Sequence, residues 1–88
     1  MPYVIQDIRD TLDPSILPLL KNISALPLDK QDGAVNYVIT SLLHGLYQPE
    51  NYFTYNRSMG VLSSVQSEWY RRRIATYEDK KISENGDV

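Results

Sequence analysis

From Tyr55 to Lys81 the chain runs without proline, and its apolar residues recur at helical spacing along one side. A run of roughly 27 residues makes an α-helix of about 40 Å at 1.5 Å per residue. At about 100° per residue, Tyr55, Met59, Leu62, Val65, Trp69 and Tyr77 share one face, with Tyr70 at its edge. A rod of that length outreaches anything else the chain can form. Its last turns must meet a second subunit or stand in solvent.

The residues before it supply two shorter helices. Residues 1–12 read as a lead-in, with Asp7-Ile8-Arg9-Asp10 able to make one turn. Asp13-Pro14 reads as a helix start, with aspartate at the N-cap and proline at the first helical position. Ile16, Leu19, Leu20 and Ile23 follow at i, i+3, i+4 and i+7, with Pro18 irregularising the first turn and Leu26-Pro27 ending the segment. Leu28 to Gly33 reads as a polar connection. Val35, Val38, Ile39, Leu42, Leu43 and Leu46 then form the cleanest apolar stripe in the chain, predicting a helix from about 33 to 47. Asp32 is its expected N-cap, Gly45 weakens its final turn, and Pro49 forbids continuation. Gln48 to Thr54 reads as a loop, and residues 82–88 as a polar tail.

The expected fold is therefore all-α, a single helical domain over 1–88 with two shorter helices packed on one long C-terminal helix. A chain of 88 residues buries a modest fraction of its surface. Small domains offset that with disulfides, a metal or association. Cysteine is absent and His44 is the single histidine, so homo-oligomerisation is the expected supplement, with no metal site and no cofactor.

Nine basic and eleven acidic residues leave a net charge of −2 at pH 7, which argues against general affinity for nucleic acid. No apolar run approaches the roughly 20 residues of a membrane span, and the N-terminal residues lack the features of a secretion signal. The expectation is a cytoplasmic protein with neither a nucleic-acid nor a membrane partner.

The residue that stands out is Arg73. On an uninterrupted helical wheel it lies about 40° from both Trp69 and Tyr77, near the centre of the apolar stripe, with Gln66 in the same sector. A guanidinium there is paired with a carboxylate across a helix or subunit contact, stacked on an aromatic ring, or extended to water along its stem. Arginine between Trp and Tyr is also how proteins grip planar anions, by stacking and bidentate hydrogen bonds to phosphate. Trp69, Tyr70, Arg73, Tyr77 and Gln66 form the candidate ligand site. Arg71 and Arg72 point elsewhere and read as solvated charges.

A second group is Tyr37, Ser41 and His44, placed opposite the stripe of the preceding helix at i, i+4 and i+7 and flanked by Asn36, Thr40 and Tyr47. It reads as an exposed polar face or a contact surface for another protein. Serine catalysis would need an orienting acid and an oxyanion hole, and neither is legible. Glu78, Asp79, Glu84 and Asp87 are the acids available as magnesium ligands of the kind that MazG-type nucleotide pyrophosphatases hold between facing helices. Here the acids gather at one terminus, and Asn85-Gly86 disfavours a helix through them.

Taken together, Met1-Pro2-Tyr3, Asn36-Tyr37-Val38-Ile39-Thr40, Gly60-Val61-Leu62, Tyr70-Arg71-Arg72, Tyr77-Glu78-Asp79-Lys80-Lys81 and Glu84-Asn85-Gly86-Asp87-Val88 resemble the pattern of a family of short uncharacterised proteins from phages, prophages and bacterial genomes. Thr76 stands where that pattern has proline, and Asp13 to Asp32 match it loosely. The resemblance implies no reaction. It implies a phage setting, in which small helical proteins include inhibitors of bacterial defence and oligomeric sponges that sequester nucleotide signals.

Three functions are thus expected in order: a non-enzymatic oligomeric binder of an anionic, nucleotide-like ligand; an adaptor or inhibitor that docks a host protein through Tyr37, Ser41 and His44; and a metal-dependent pyrophosphatase.

Overall fold

The computed structural model describes residues 4–88, and every regular element among them is helical. Helix α1 runs Gln6–Ser24 and α2 runs Leu28–Leu46. A continuous run of 34 helical residues follows, made of α3 (Tyr52–Trp69), a π-helical segment (Tyr70–Ile74) and α4 (Ala75–Asn85). The all-α class and the long final helix read from the sequence are both present. Met1-Pro2-Tyr3, one piece of the family resemblance, lies outside the described residues. The chain divides into two compact units, one up to Gln48 and the other Pro49–Val88.

In the first unit, α1 begins inside the stretch expected to be a lead-in. Ile5 occupies the N-cap position without a side-chain cap, and Asp7 places a negative charge in the first turn, where the helix dipole favours it. Gln6 Nε2 donates to Asp10 Oδ1 at 2.8 Å, and Thr11 Oγ1 donates to the Asp7 carbonyl at 3.1 Å. Asp13-Pro14 is therefore not a helix start, and Pro14 and Pro18 both lie inside α1. Each removes an N–H, at a cost of roughly 3 kcal/mol against alanine. Spaced by four residues, they fall on one exposed face, where the orphaned carbonyls reach water.

Helix α2 also starts early. Pro27 takes its N-cap position, so the expected polar connection from Leu28 to Gly33 is helical and Asp32 lies inside the helix rather than capping it. Gln31 explains how so short a link is held. Its Nε2 donates to the Leu26 carbonyl at 3.0 Å and reaches the Ser24 carbonyl at 3.5 Å, satisfying acceptors that the end of α1 leaves open. Ile23, Ala34, Val38 and Leu43 are half-buried.

The second unit opens with a reciprocal cap. Asn51 Oδ1 accepts the Thr54 N–H at 3.0 Å, and Thr54 Oγ1 accepts the Asn51 N–H at 3.1 Å. Thr54 Oγ1 also donates to the Pro49 carbonyl at 2.7 Å. This capping box starts α3 at Tyr52, so the predicted loop from Gln48 to Thr54 ends three residues early. Thr76 sits within α4, and no break precedes Tyr77. The helix passes through Glu84 and Asn85 and stops at Gly86, whose φ of 85° suits glycine. The tail thus begins at Gly86 rather than at residue 82.

No apolar side chain among the described residues is buried. No helix among them is long and apolar enough to cross a membrane.

Candidate functional site

The Trp69-Tyr70-Arg71-Arg72-Arg73 stretch is where the long helix changes pitch. Over Tyr70–Ile74 the backbone closes i→i+5 bonds, including Ala75 N–H to the Tyr70 carbonyl. Such a turn holds about one more residue than an α-turn and advances roughly 80° per residue instead of 100°. Tyr77, about 80° from Trp69 on an uninterrupted wheel, is thereby brought almost directly over it. Arg73 stays next to Trp69 but shifts from the centre of the stripe to its other flank, and Ile74 swings into the stripe. The position expected for Arg73 on a straight helix is corrected accordingly.

The pitch change also explains a hydrogen bond that an α-helix would not allow. Tyr70 Oη donates to Glu78 Oε1 at 2.9 Å across eight residues. Eight residues of α-helix leave two side chains about 80° apart, whereas one absorbed residue returns them to the same face. The bond to Glu78 is the main cause that raises the Tyr70 pKa above 10.0, followed by the charge of Glu78, desolvation and the charge of Asp79.

The three arginines separate by partner. Arg71 Nη2 donates to both carboxylate oxygens of Glu68, each at 3.1 Å. Arg72 Nε lies 3.6 Å from Glu68 Oε2. Exposed pairs of this kind contribute roughly 0–1 kcal/mol each, so they orient the two side chains more than they stabilise the helix. Arg73 has no carboxylate partner among the described residues. It is exposed, so its charge stays in water in the single chain. Around it Trp69 is 61% exposed and Tyr77 60%. Lys81 Nζ stands 5.5 Å from the centre of the Tyr77 ring, a second cation on the aromatic surface. Gln66 is exposed one turn earlier, and its carbonyl accepts the Tyr70 N–H.

Trp69, Tyr70, Arg73, Tyr77 and Gln66 therefore share one stretch of a single helix. Two members of the local network were not read from the sequence. Glu78, which the sequence offers as a metal ligand or a solvated charge, accepts from Tyr70. Glu68 pairs with Arg71 and Arg72, and its spacing of three and four to them is a legible helical ion-pair signal.

Tyr37, Ser41 and His44 all lie on α2 and are exposed, Tyr37 to 73%. The flanking Thr40 Oγ1 donates to Asn36 Oδ1 at 3.1 Å, and the His44 carbonyl accepts from Gln48 Nε2 at 2.7 Å. Among the described residues no group of three or more His, Asp or Glu side chains could hold a metal ion.

A family model described as a domain of unknown function (DUF6899) matches residues 1–88. No curated protein and no solved structure matches the chain.

Proposed function

The chain belongs to the DUF6899 domain family, and from that premise we propose a non-enzymatic, homo-oligomeric binding protein that sequesters an anionic, nucleotide-like ligand. The observation that carries this reading is the division of labour among the arginines. Glu68 engages Arg71 and Arg72, while Arg73 is left without a carboxylate beside the exposed rings of Trp69 and Tyr77. A planar base stacks on such rings, and a guanidinium donates two parallel N–H bonds to a phosphate. Gln66 and the Tyr70 hydroxyl add neutral polar groups at the margin. The π turn supports the reading because such turns recur at functional sites.

The phage association implied by the family resemblance gives this chemistry a use in the cytoplasm, as a sponge for a nucleotide signal of bacterial defence. Thermal melts with AMP, ADP and cyclic dinucleotides as probes test it. At least one probe raises the midpoint, and Arg73→Ala removes the rise while Arg71→Ala keeps it. If no probe shifts the melt, or Arg71→Ala and Arg73→Ala act alike, the site is wrong.

A second reading is an adaptor or inhibitor of a host protein that docks on Tyr37, Ser41 and His44. It is favoured by the exposure of a tyrosine to 73% on an otherwise polar helix face, because tyrosine is a common anchor of interfaces. It expects no probe to bind, and a captured partner to be lost on Tyr37→Ala.

A further inference from the structure

We propose that the aromatic row on the long helix is the surface on which the long helix of a second copy of this chain docks. Tyr55, Leu62, Trp69 and Tyr77 follow one another at steps of seven, seven and eight residues. Seven residues is two turns of a helix wound against a partner. The step of eight would leave Tyr77 about 80° from Trp69 in uninterrupted α-helix. That step is where the π segment Tyr70–Ile74 lies. Its extra residue is absorbed, and the row continues straight through. Met59 and Val65 fill the alternate positions before the turn, and Ile74 the one after it. A backbone irregularity placed so as to preserve one apolar row indicates that the row has a partner along its whole length.

The occupant follows from length and area. Tyr55 to Tyr77 spans about 33 Å of helix. Helices α1 and α2 have 19 residues each, about 28 Å apiece, and among the described helices only the 34-residue run matches the row end to end. Tyr55, Trp69 and Tyr77 are each more than half exposed. At these exposures aromatic side chains of 150–250 Å² present roughly 80–150 Å² apiece, and with the exposed Met59, Val65 and Ile74 the row offers on the order of 600 Å² per copy, at the lower edge of the range for stable interfaces. Tyr55, Leu62, Trp69 and Tyr77 are themselves uncharged, and Arg73 and Lys81 lie beside the row, where their long stems let both charges stay in water when two copies meet. The inference rests on the oligomeric half of the function proposed above; the seam covers one side of Trp69 and Tyr77, and the ligand of that reading is confined to the ring edges beside Arg73.

Sedimentation equilibrium of the whole chain, from roughly 1 to 200 μM, tests it. The expected mass is at least twice 10.1 kDa. Leu62→Lys and Val65→Lys each weaken association about tenfold or more, while Ser64→Lys, on the far side of the helix, does not. Circular dichroism checks that each variant keeps its helicity. Leu62→Cys gives a readout that needs no disruptive change. The chain has no cysteine, so any disulfide formed on mild oxidation joins two copies. A chain that stays at 10.1 kDa throughout overturns the proposal. So does an assembly indifferent to both lysine variants, which would place the interface elsewhere. Loss of nucleotide stabilisation with the assembly intact counts against the ligand alone.

Discussion

Tyr70 Oη donates to Glu78 Oε1 at 2.9 Å across eight residues of one helical run, and this bond reports directly on the π turn beneath it. In regular α-helix the two side chains would point about 80° apart. The bond is therefore both a contact at the candidate site and a register mark for the helix that carries it.

Ionising Tyr70 destroys the donor and sets a phenolate beside a carboxylate, so the folded chain holds this proton to higher pH than the unfolded chain does. The contribution is complete below the ordinary tyrosine value of 10.0 and is lost as the pH rises through the higher folded value. Absorbance at the tyrosinate band should show late-titrating tyrosines, and Tyr70→Phe should remove one. Glu78→Gln should bring that titration down toward 10.0. Tyr55, which donates to Glu50 Oε2 at 3.1 Å, is also raised and should be untouched by Glu78→Gln. An unchanged titration curve in the Glu78→Gln protein would count against the bond.

Deleting Arg72 should convert the π turn into ordinary α-helix. Tyr70 and Glu78 then stand seven residues apart, still about 20° from one another on the wheel. The raised titration of Tyr70 should survive this deletion. Inserting one alanine after Arg72 should abolish it, because the two groups are then thrown to different faces. If both variants behave alike, the turn does not set the register.

The capping box at the start of α3 has a measurable weight. Thr54 is buried to 4% exposure and exchanges hydrogen bonds with Asn51 in both directions. Asn51→Ala should destabilise the chain by about 1 kcal/mol, and Thr54→Val by about 1–2 kcal/mol because the Pro49 carbonyl also loses its donor. Chemical denaturation followed by circular dichroism measures both. A variant within about 0.3 kcal/mol of the parent would show that the cap contributes little.

Two glycines should respond in opposite directions to alanine. Gly60 lies mid-helix in α3, where an added Cβ meets nothing within 4 Å. Gly60→Ala should therefore stabilise by about 0.5–1 kcal/mol. Gly86 ends α4 with a φ of 85°, so Gly86→Ala should destabilise by about 1 kcal/mol. A lowered thermal midpoint for Gly60→Ala would contradict the first assignment, and a raised one for Gly86→Ala the second.

Much of this architecture was legible in the sequence because helical periodicity is local. Val35, Val38, Ile39, Leu42, Leu43 and Leu46 announced α2, and the proline-free run from Tyr55 announced the long helix. Helix starts are less legible. Asp13-Pro14 and Asp32 carry the residues of good N-caps, but the chain was already helical before each of them. Cap preference describes where a helix is able to begin, whereas Gln31 reaching back to Leu26 and Ser24 decides where α2 is held. The cap that did form, at Asn51, used threonine at the third position in place of the usual Glu or Gln.

At the candidate site the sequence brought Trp69, Tyr70, Arg73 and Tyr77 to one stretch of helix, since their spacing alone does that. Which of them line up was not decided there. A wheel turned at a constant angle has no place for a π turn, so it centred Arg73 in the stripe and left Tyr77 to one side of Trp69. The sequence by itself determined the helical class, the end of α2 before Pro49 and the long final helix, because steric and periodic preferences act within a few residues. Only the tertiary structure decided the π turn and the Tyr70–Glu78 bond that crosses it. Those depend on how backbone pitch and side-chain reach meet in space, and residue spacing records neither.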